Sequence, residues 1–267
     1  MTDSGIIQES GEQAETLSQQ RFGQHAQNYV TSRPHAQGAE LDRLLELADP
    51  QAEWVMLDVA TGGGHTALKF APYVAHVTAS DVTPAMLEAA ETHLRDQGVT
   101  NAAFERVDAE AMPFDEASFD LVTCRIAPHH FDNAPRFVQE AARVLKPGGI
   151  LLVQDHLVPE DRTAARYIEA FEKLRDPSHN RAFTEGEWRA MFVDAGLAVT
   201  HVERLSKELT FRTWTDRQGV TENTEACLIV LLEAAPSAVL EWVRPRAWGT
   251  PDATFTSQHL IIRGRKV

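Results

Sequence analysis

Trp54-Val-Met-Leu-Asp-Val-Ala-Thr-Gly-Gly-Gly64 is the stretch on which the reading of this chain turns. From Trp54 to Ala60 it is apolar except for Asp58, the composition of a parallel strand buried on both faces. The strand runs into Thr61-Gly-Gly-Gly-His-Thr-Ala67. Glycines there let the backbone turn sharply and approach a ligand, and the helix that follows offers unpaired N–H groups and a positive end. The spacing Gly62-x-Gly64-x-x-Ala67 also satisfies the dinucleotide fingerprint. The loop therefore specifies a nucleotide-type cofactor without choosing one, and a plain tight turn is the competing reading.

Outward from this loop, short apolar runs alternate with amphipathic stretches. Strands are predicted at 53–60, 74–80, 102–107, 118–124 and 149–155, with helices near 65–71, 84–97 and 133–145. Such alternation indicates parallel βαβ units and an α/β fold. Thr83-Pro84 has the form of an N-cap followed by proline at the first helical position, and Pro147-Gly148-Gly149 reads as a stop before the next strand. A helix over 160–175 is followed by the polar loop Asp176-Pro-Ser-His-Asn-Arg181. Thr184 and Glu187 form a capping-box pattern, and Gly196 ends that helix. Strands near 197–205 and 255–263 then bracket helical sequence over 213–243. Upstream, Phe22, Ala26 and Tyr29, then Leu41, Leu44, Leu45 and Ala48, recur at helical spacing on either side of Pro34. Residues 1–18 are polar and aperiodic and read as a lead-in to one domain over 19–267.

Acidic residues separate the cofactors. Asp81 ends the second strand, where a carboxylate can accept from both ribose hydroxyls of either NAD or S-adenosylmethionine (SAM). Asp58 lies at the strand end beside the loop, where a pyrophosphate would meet like charge. Asp108, at the end of the third strand, suits an adenine amino group. Three acids at successive strand ends fit a cationic ligand better than a dianionic one, and SAM carries an ammonium and a sulfonium but no phosphate. Any one of them alone would be an ordinary loop cap.

Composition removes other classes. The 267 residues carry 43% hydrophobic and 24% charged side chains with a formal charge of −14, which disfavours a nucleic-acid partner. No apolar run approaches the ~18 residues of a membrane span, and the N-terminal sequence lacks a secretory pattern, so a cytoplasmic protein is expected. Cys124 and Cys227 supply neither a disulfide framework nor metal-ligand spacing. No metal is expected.

Five segments then resemble, in order, the motifs of class I SAM-dependent methyltransferases: 57–64, Ser80-Asp-Val-Thr-Pro-Ala-Met-Leu87, Asp108-Ala-Glu-Ala-Met-Pro-Phe114, Ser118-Phe-Asp-Leu-Val122 and Arg143-Val-Leu-Lys-Pro-Gly-Gly149. They are most similar to the ubiquinone/menaquinone C-methyltransferase type. Arg125-Ile-Ala-Pro-His-His-Phe131 and Leu174-Arg-Asp-Pro-Ser-His179 resemble its bacterial YcgJ-like subgroup. The resemblance runs from about Phe22 to the end, without a matched motif over 206–253. Ala60 departs from the family's usual glycine. The family implies a Rossmann-like, three-layer αβα sandwich with a seven-stranded mixed sheet whose last strand is antiparallel. It implies that Asp58 and the backbone at Ala60, Thr61, Gly62 and Gly64 hold the methionyl part and that Asp81 and Val82 take the ribose. Met86 would pack on adenine, Asp108, Ala109 and Glu110 would line its edge, and Arg125 would complete the cofactor set. Tyr29 would lie on a helix within 19–48 closing over SAM, with plain core packing as its alternative.

Methyl transfer needs alignment, desolvation and, for some acceptors, removal of a proton. Ligands of α/β sheets sit beyond the carboxyl ends of the strands, which places His129, His130, Asp155, His156 and His179 on the acceptor side. His129 or His130 is the candidate general base, since histidine titrates near neutral pH; satisfying loop backbone groups is the alternative for each. His156, His179 and Trp214 are candidate contacts to a small-molecule acceptor, with 207–249 as a helical insertion forming a pocket or lid. An NAD(P)-dependent oxidoreductase stays open as an alternative, although Tyr29, Tyr73 and Tyr167 all lack a lysine four residues on. So does a non-catalytic SAM-binding protein.

Overall fold

The computed structural model describes residues 39–267. Seven strands form one sheet in the order β3-β2-β1-β4-β5-β7-β6. They are β1 (Val55–Val59), β2 (His76–Asp81), β3 (Ala102–Arg106), β4 (Phe119–Arg125), β5 (Leu145–His156), β6 (Leu197–Thr210) and β7 (Thr254–Lys266). The first five are parallel and β7 inserts antiparallel between β5 and β6, so the expected mixed sheet is present.

Helices cover both faces. α1 (Ala39–Ala48), α2 (His65–Phe70) and α3 (Pro84–Asp96) bring Leu41, Leu44, Phe70 and Leu94 against Met56, Val77, Leu121 and Leu152. On the other face α4 (Ala134–Val144) and α6 (Glu185–Asp194) bring Phe137, Trp188 and Phe192 against Leu57, Val122, Val153 and Ile262. Odd and even positions of one strand thus serve opposite layers, as the period of two requires. A third cluster unites α5 (Arg162–Arg175), α7 (Phe211–Asp216), α8 (Glu222–Glu233) and α9 (Ser237–Val243) around Phe171, Trp214, Leu228 and Phe255. Among the described residues no single helix is long and apolar enough to cross a membrane.

Two local expectations change. Pro147-Gly148-Gly149 does not separate helix from strand, because β5 already starts at Leu145 and pairs with Phe119 across a register shift. A Cβ on Gly149 would stand 2.9 Å from the Lys146 carbonyl oxygen, so this kink depends on glycine. Thr83 does precede α3, yet its side chain makes no cap bond; the Asp81 carboxylate takes its N–H instead, at 2.9 Å. The capping box at Thr184 and Glu187 forms with both hydrogen bonds in place. It stabilises α6 by about 1 kcal/mol.

Candidate functional site

Strand order reverses between β1 and β4, and the loops leaving their carboxyl ends diverge there, opening the crevice in which α/β sheets hold ligands. Ala60, Gly62 and Gly64 all take positive φ, at 52°, 53° and 79°. The turn is fixed by Thr61 N–H donating to the Ser80 carbonyl at 2.8 Å and Gly64 N–H to the Thr61 carbonyl at 2.9 Å. His93 Nδ1 lies 2.7 Å from the Gly63 carbonyl oxygen.

The two outer glycines are there for different reasons. A Cβ on Gly64 would lie 2.5 Å from Leu94 Cδ1 and 3.2 Å from Ala90 Cβ, whereas one on Gly62 would meet nothing within 4 Å. Leu94 is fully buried and has no room to swing away. Gly64→Ala is therefore expected to destabilise by about 2–4 kcal/mol, the left-handed penalty plus overpacking, and Gly62→Ala by only about 1–2 kcal/mol. Denaturant titration measures both, and equal midpoints for the two variants would contradict this account.

In front of the loop lies a cavity of about 260 Å3 bordered by Ala60, Thr61, Gly62, Asp81, Val82, Met86, Asp108, Ala109, Glu110 and Arg125. All ten are residues expected from the sequence to contact the cofactor. Val107, Ile126, Ala127, Phe131 and Asp132 border it as well and were not foreseen. Asp81 Oδ2 accepts from Gly62 N–H at 3.0 Å and Oδ1 from Thr83 N–H at 2.9 Å. One carboxylate thus ties the glycine loop to the start of α3. Burial raises its pKa, against these two backbone donors. Asp108 Oδ1 accepts from Glu110 N–H at 2.8 Å and Glu110 Oε1 from Asn133 N–H at 2.7 Å. Among the described residues, four acidic ones (Asp81, Asp108, Glu110 and Asp132) and one arginine, Arg125, border this space.

Asp58 stands apart from these residues. It shares the sheet face of Met56, covered by α1, α2 and α3, and does not border the cavity. Thr61 Oγ1 donates to its Oδ2 at 2.6 Å and Thr123 Oγ1 to its Oδ1 at 2.7 Å. Burial raises its carboxyl to about 6. Asp58 braces the loop from behind through these two hydroxyls. Tyr29 lies outside the described residues.

A second, smaller pocket of about 90 Å3 shares Ile126 and His130 with the first. Ile126 also holds a positive φ of 54°, rare for a β-branched residue, at the tip of β4. His129, His156, His179 and Trp214 all border this second pocket, so the structure brings the acceptor-side candidates together. His129 Nδ1 lies 2.6 Å from Asp155 Oδ1, and His130 Nδ1 lies 3.0 Å from the Ser178 carbonyl. Ring centroids step from His130 to His129 (4.1 Å), His129 to His156 (4.4 Å) and His156 to His259 (4.7 Å). Burial first, then mutual repulsion, drives His129 and His156 well below the ordinary histidine pKa. His179 is raised instead, through Glu169 at 3.2 Å. Trp214 stacks on Phe171 at 5.1 Å, so it is both core and pocket wall. Glu172, Arg175, Lys207 and His259 border the pocket too and were missed. Of these, Arg175 falls within the segment 174–179 already singled out.

The methyltransferase domain family matches residues 57–153, a span holding both the loop and the wall shared by the two pockets. The chain is 37% identical over 214 residues to the methyltransferase YcgJ of Bacillus subtilis, covering 80% of this chain and 85% of YcgJ. The crystal structure of a methyltransferase from Bacillus halodurans is 35% identical, with a TM-score of 0.82 over 86% of this chain and 99% of that one. The ubiquinone/menaquinone C-methyltransferase UbiE of Pseudomonas putida is 33% identical over 131 residues, 48% of this chain and 51% of UbiE. With the ordered motifs on the β1 loop and the cavity they border, these similarities show that the chain belongs to the class I SAM-dependent methyltransferases.

Proposed function

We propose that the larger cavity holds SAM, and that a small-molecule acceptor in the second pocket receives its methyl group by in-line displacement, leaving S-adenosylhomocysteine. The observation that carries this reading is the wall common to both spaces, Ile126 and His130 at the end of β4. A ligand reaching that wall from each side would bring donor and acceptor atoms together there.

The residues fit the cofactor. The open side of Gly62 adjoins the cavity, and the acidic lining with one guanidinium matches a ligand with an ammonium, a sulfonium and a single carboxylate. In this reading the backbone at Ala60, Thr61, Gly62 and Gly64, with Arg125, holds the methionyl end. Asp81 and Val82 take the ribose, Met86 packs on adenine, and Asp108, Ala109 and Glu110 line its edge. When bound, SAM supplies an electrophilic methyl carbon and departs as a neutral thioether. The chain contributes alignment and the exclusion of water. The same four carboxyls would repel a pyrophosphate, which argues against NAD.

Incubating the full chain with methyl-labelled SAM and fractionated metabolite extract tests the reading. Label is expected in a small-molecule product. Binding of NAD in place of SAM, or SAM binding with no labelled product from any fraction, would overturn it.

A further inference from the structure

The second pocket is bordered by a carboxylate whose oxygens are not taken up by hydrogen bonds within the described chain. Glu172, on α5, is 8% exposed and borders the pocket, yet its side chain makes no hydrogen bond or ion pair with a described residue. Burial raises its pKa and the nearby charges of Arg175 and His179 oppose that rise, so its oxygens stay available as acceptors for a donor group arriving in the pocket.

Nearby, Asp155 accepts from one nitrogen of His129 at 2.6 Å, with both residues at least nine-tenths buried. With Nδ1–H donated to the carboxylate, the imidazole's Nε2 carries a lone pair, has no hydrogen-bond partner among the described residues, and belongs to a ring that borders the pocket. His130 differs: its Nδ1 meets a backbone carbonyl, which offsets the charge of an imidazolium less than a carboxylate does. Of the two candidate bases, His129 is the one in direct contact with a carboxylate; burial and the neighbouring histidines keep its ring neutral beforehand, the form a base needs.

We propose that the second pocket takes a protic acceptor, one whose reacting atom carries a hydrogen. His129, positioned by Asp155, receives that hydrogen as a proton, and Glu172 accepts a hydrogen bond from a second donor group on the same molecule. This rests on the methyl-transfer reading above. The balance closes: the acceptor atom keeps the electron pair of its former bond to hydrogen and forms the bond to the methyl carbon. The pair from the broken C–S bond stays on sulfur, and the proton passes to His129 Nε2 and then to solvent. Thioethers and tertiary amines have no such hydrogen and fall outside the class.

Two readouts test this. In nitrogen-correlated imidazole spectra of the full chain without SAM, His129 is expected as the Nδ1–H tautomer, and Asp155→Asn is expected to shift it towards Nε2–H. An Nε2–H tautomer in the wild type would overturn the assignment without any variant. In the labelled-methyl assay with extract, the product is expected to gain CH2 at unchanged charge. A product that gains CH3 and a positive charge would overturn the proposal. His129→Gln should lower kcat by about 100-fold or more, and Glu172→Gln should raise KM for the extracted acceptor about tenfold with kcat kept, both at unchanged SAM affinity. Unchanged turnover in His129→Gln overturns the proton-acceptor role alone, whereas SAM binding with no labelled product overturns the underlying methyl-transfer reading.

Discussion

Asp81→Ala is expected to lower SAM affinity by at least 100-fold, about 2.7 kcal/mol, in calorimetric titration of the full chain. Two losses combine. The carboxylate holds Gly62 N–H and Thr83 N–H at 3.0 and 2.9 Å, so its removal frees the glycine loop from the start of α3. Hydrogen bonds to a charged group are worth about 1.5–3 kcal/mol each, and the donors left behind face a cavity wall. The second loss is the proposed acceptor for the ribose hydroxyls. Asp81→Asn separates the two, because its single carbonyl oxygen can keep only one of the backbone donors, and an intermediate affinity is expected. Thermal melts of both variants distinguish lost binding from lost folding. Wild-type affinity in a folded Asp81→Ala variant would remove Asp81 from the cofactor site.

Acid sensitivity should reside in the histidine stack, and His259 isolates it. Burial lowers its pKa to about 4, against about 6.5 in the unfolded chain. Between those values the unfolded state binds more protons, so stability falls as pH drops from 6.5 towards 4. A shift of that size amounts to about 3 kcal/mol at full development. Asp155 and Asp58 work in the other direction. Burial raises them to about 7 and about 6, so the folded state binds more protons there and their contribution is lost as pH rises. The total profile mixes these opposed effects, and the difference between wild type and His259→Gln separates them. The wild type is expected to lose about 3 kcal/mol relative to the variant between pH 6.5 and pH 4, measured by urea titration across that range. Parallel pH profiles would contradict the buried, neutral state of His259.

Much of the site was legible because its elements announce themselves locally. An apolar run ending in three glycines has few other uses, and acids at the ends of successive strands mark one rim of a parallel sheet. Ten expected cofactor contacts accordingly border one cavity. The surroundings of Asp58 were not legible, because sequence gives its position along the strand and not the partner opposite. Register places Thr123 beside it on the same face, and the Thr123 hydroxyl donates to one of its two oxygens. His259 was missed for the same reason, since only the antiparallel register sets it opposite His156. Glu172 reads in sequence as one more charge on an amphipathic helix. It borders the pocket with Leu209, Trp214 and Ser257, residues brought to it from distant segments of the chain. The extension of β6 to Thr210 and of β7 to Lys266 went unread because each strand ends in a polar stretch resembling loop.

Amide hydrogen exchange of the full chain with and without S-adenosylhomocysteine bears most directly on where the cofactor lies. Protection is expected at Gly62, Val82 and across 107–110, the backbone bordering the larger cavity, with β6 and α8 unchanged. Protection confined to the second pocket, or none at saturating ligand, would contradict the assignment of that cavity to the methyl donor.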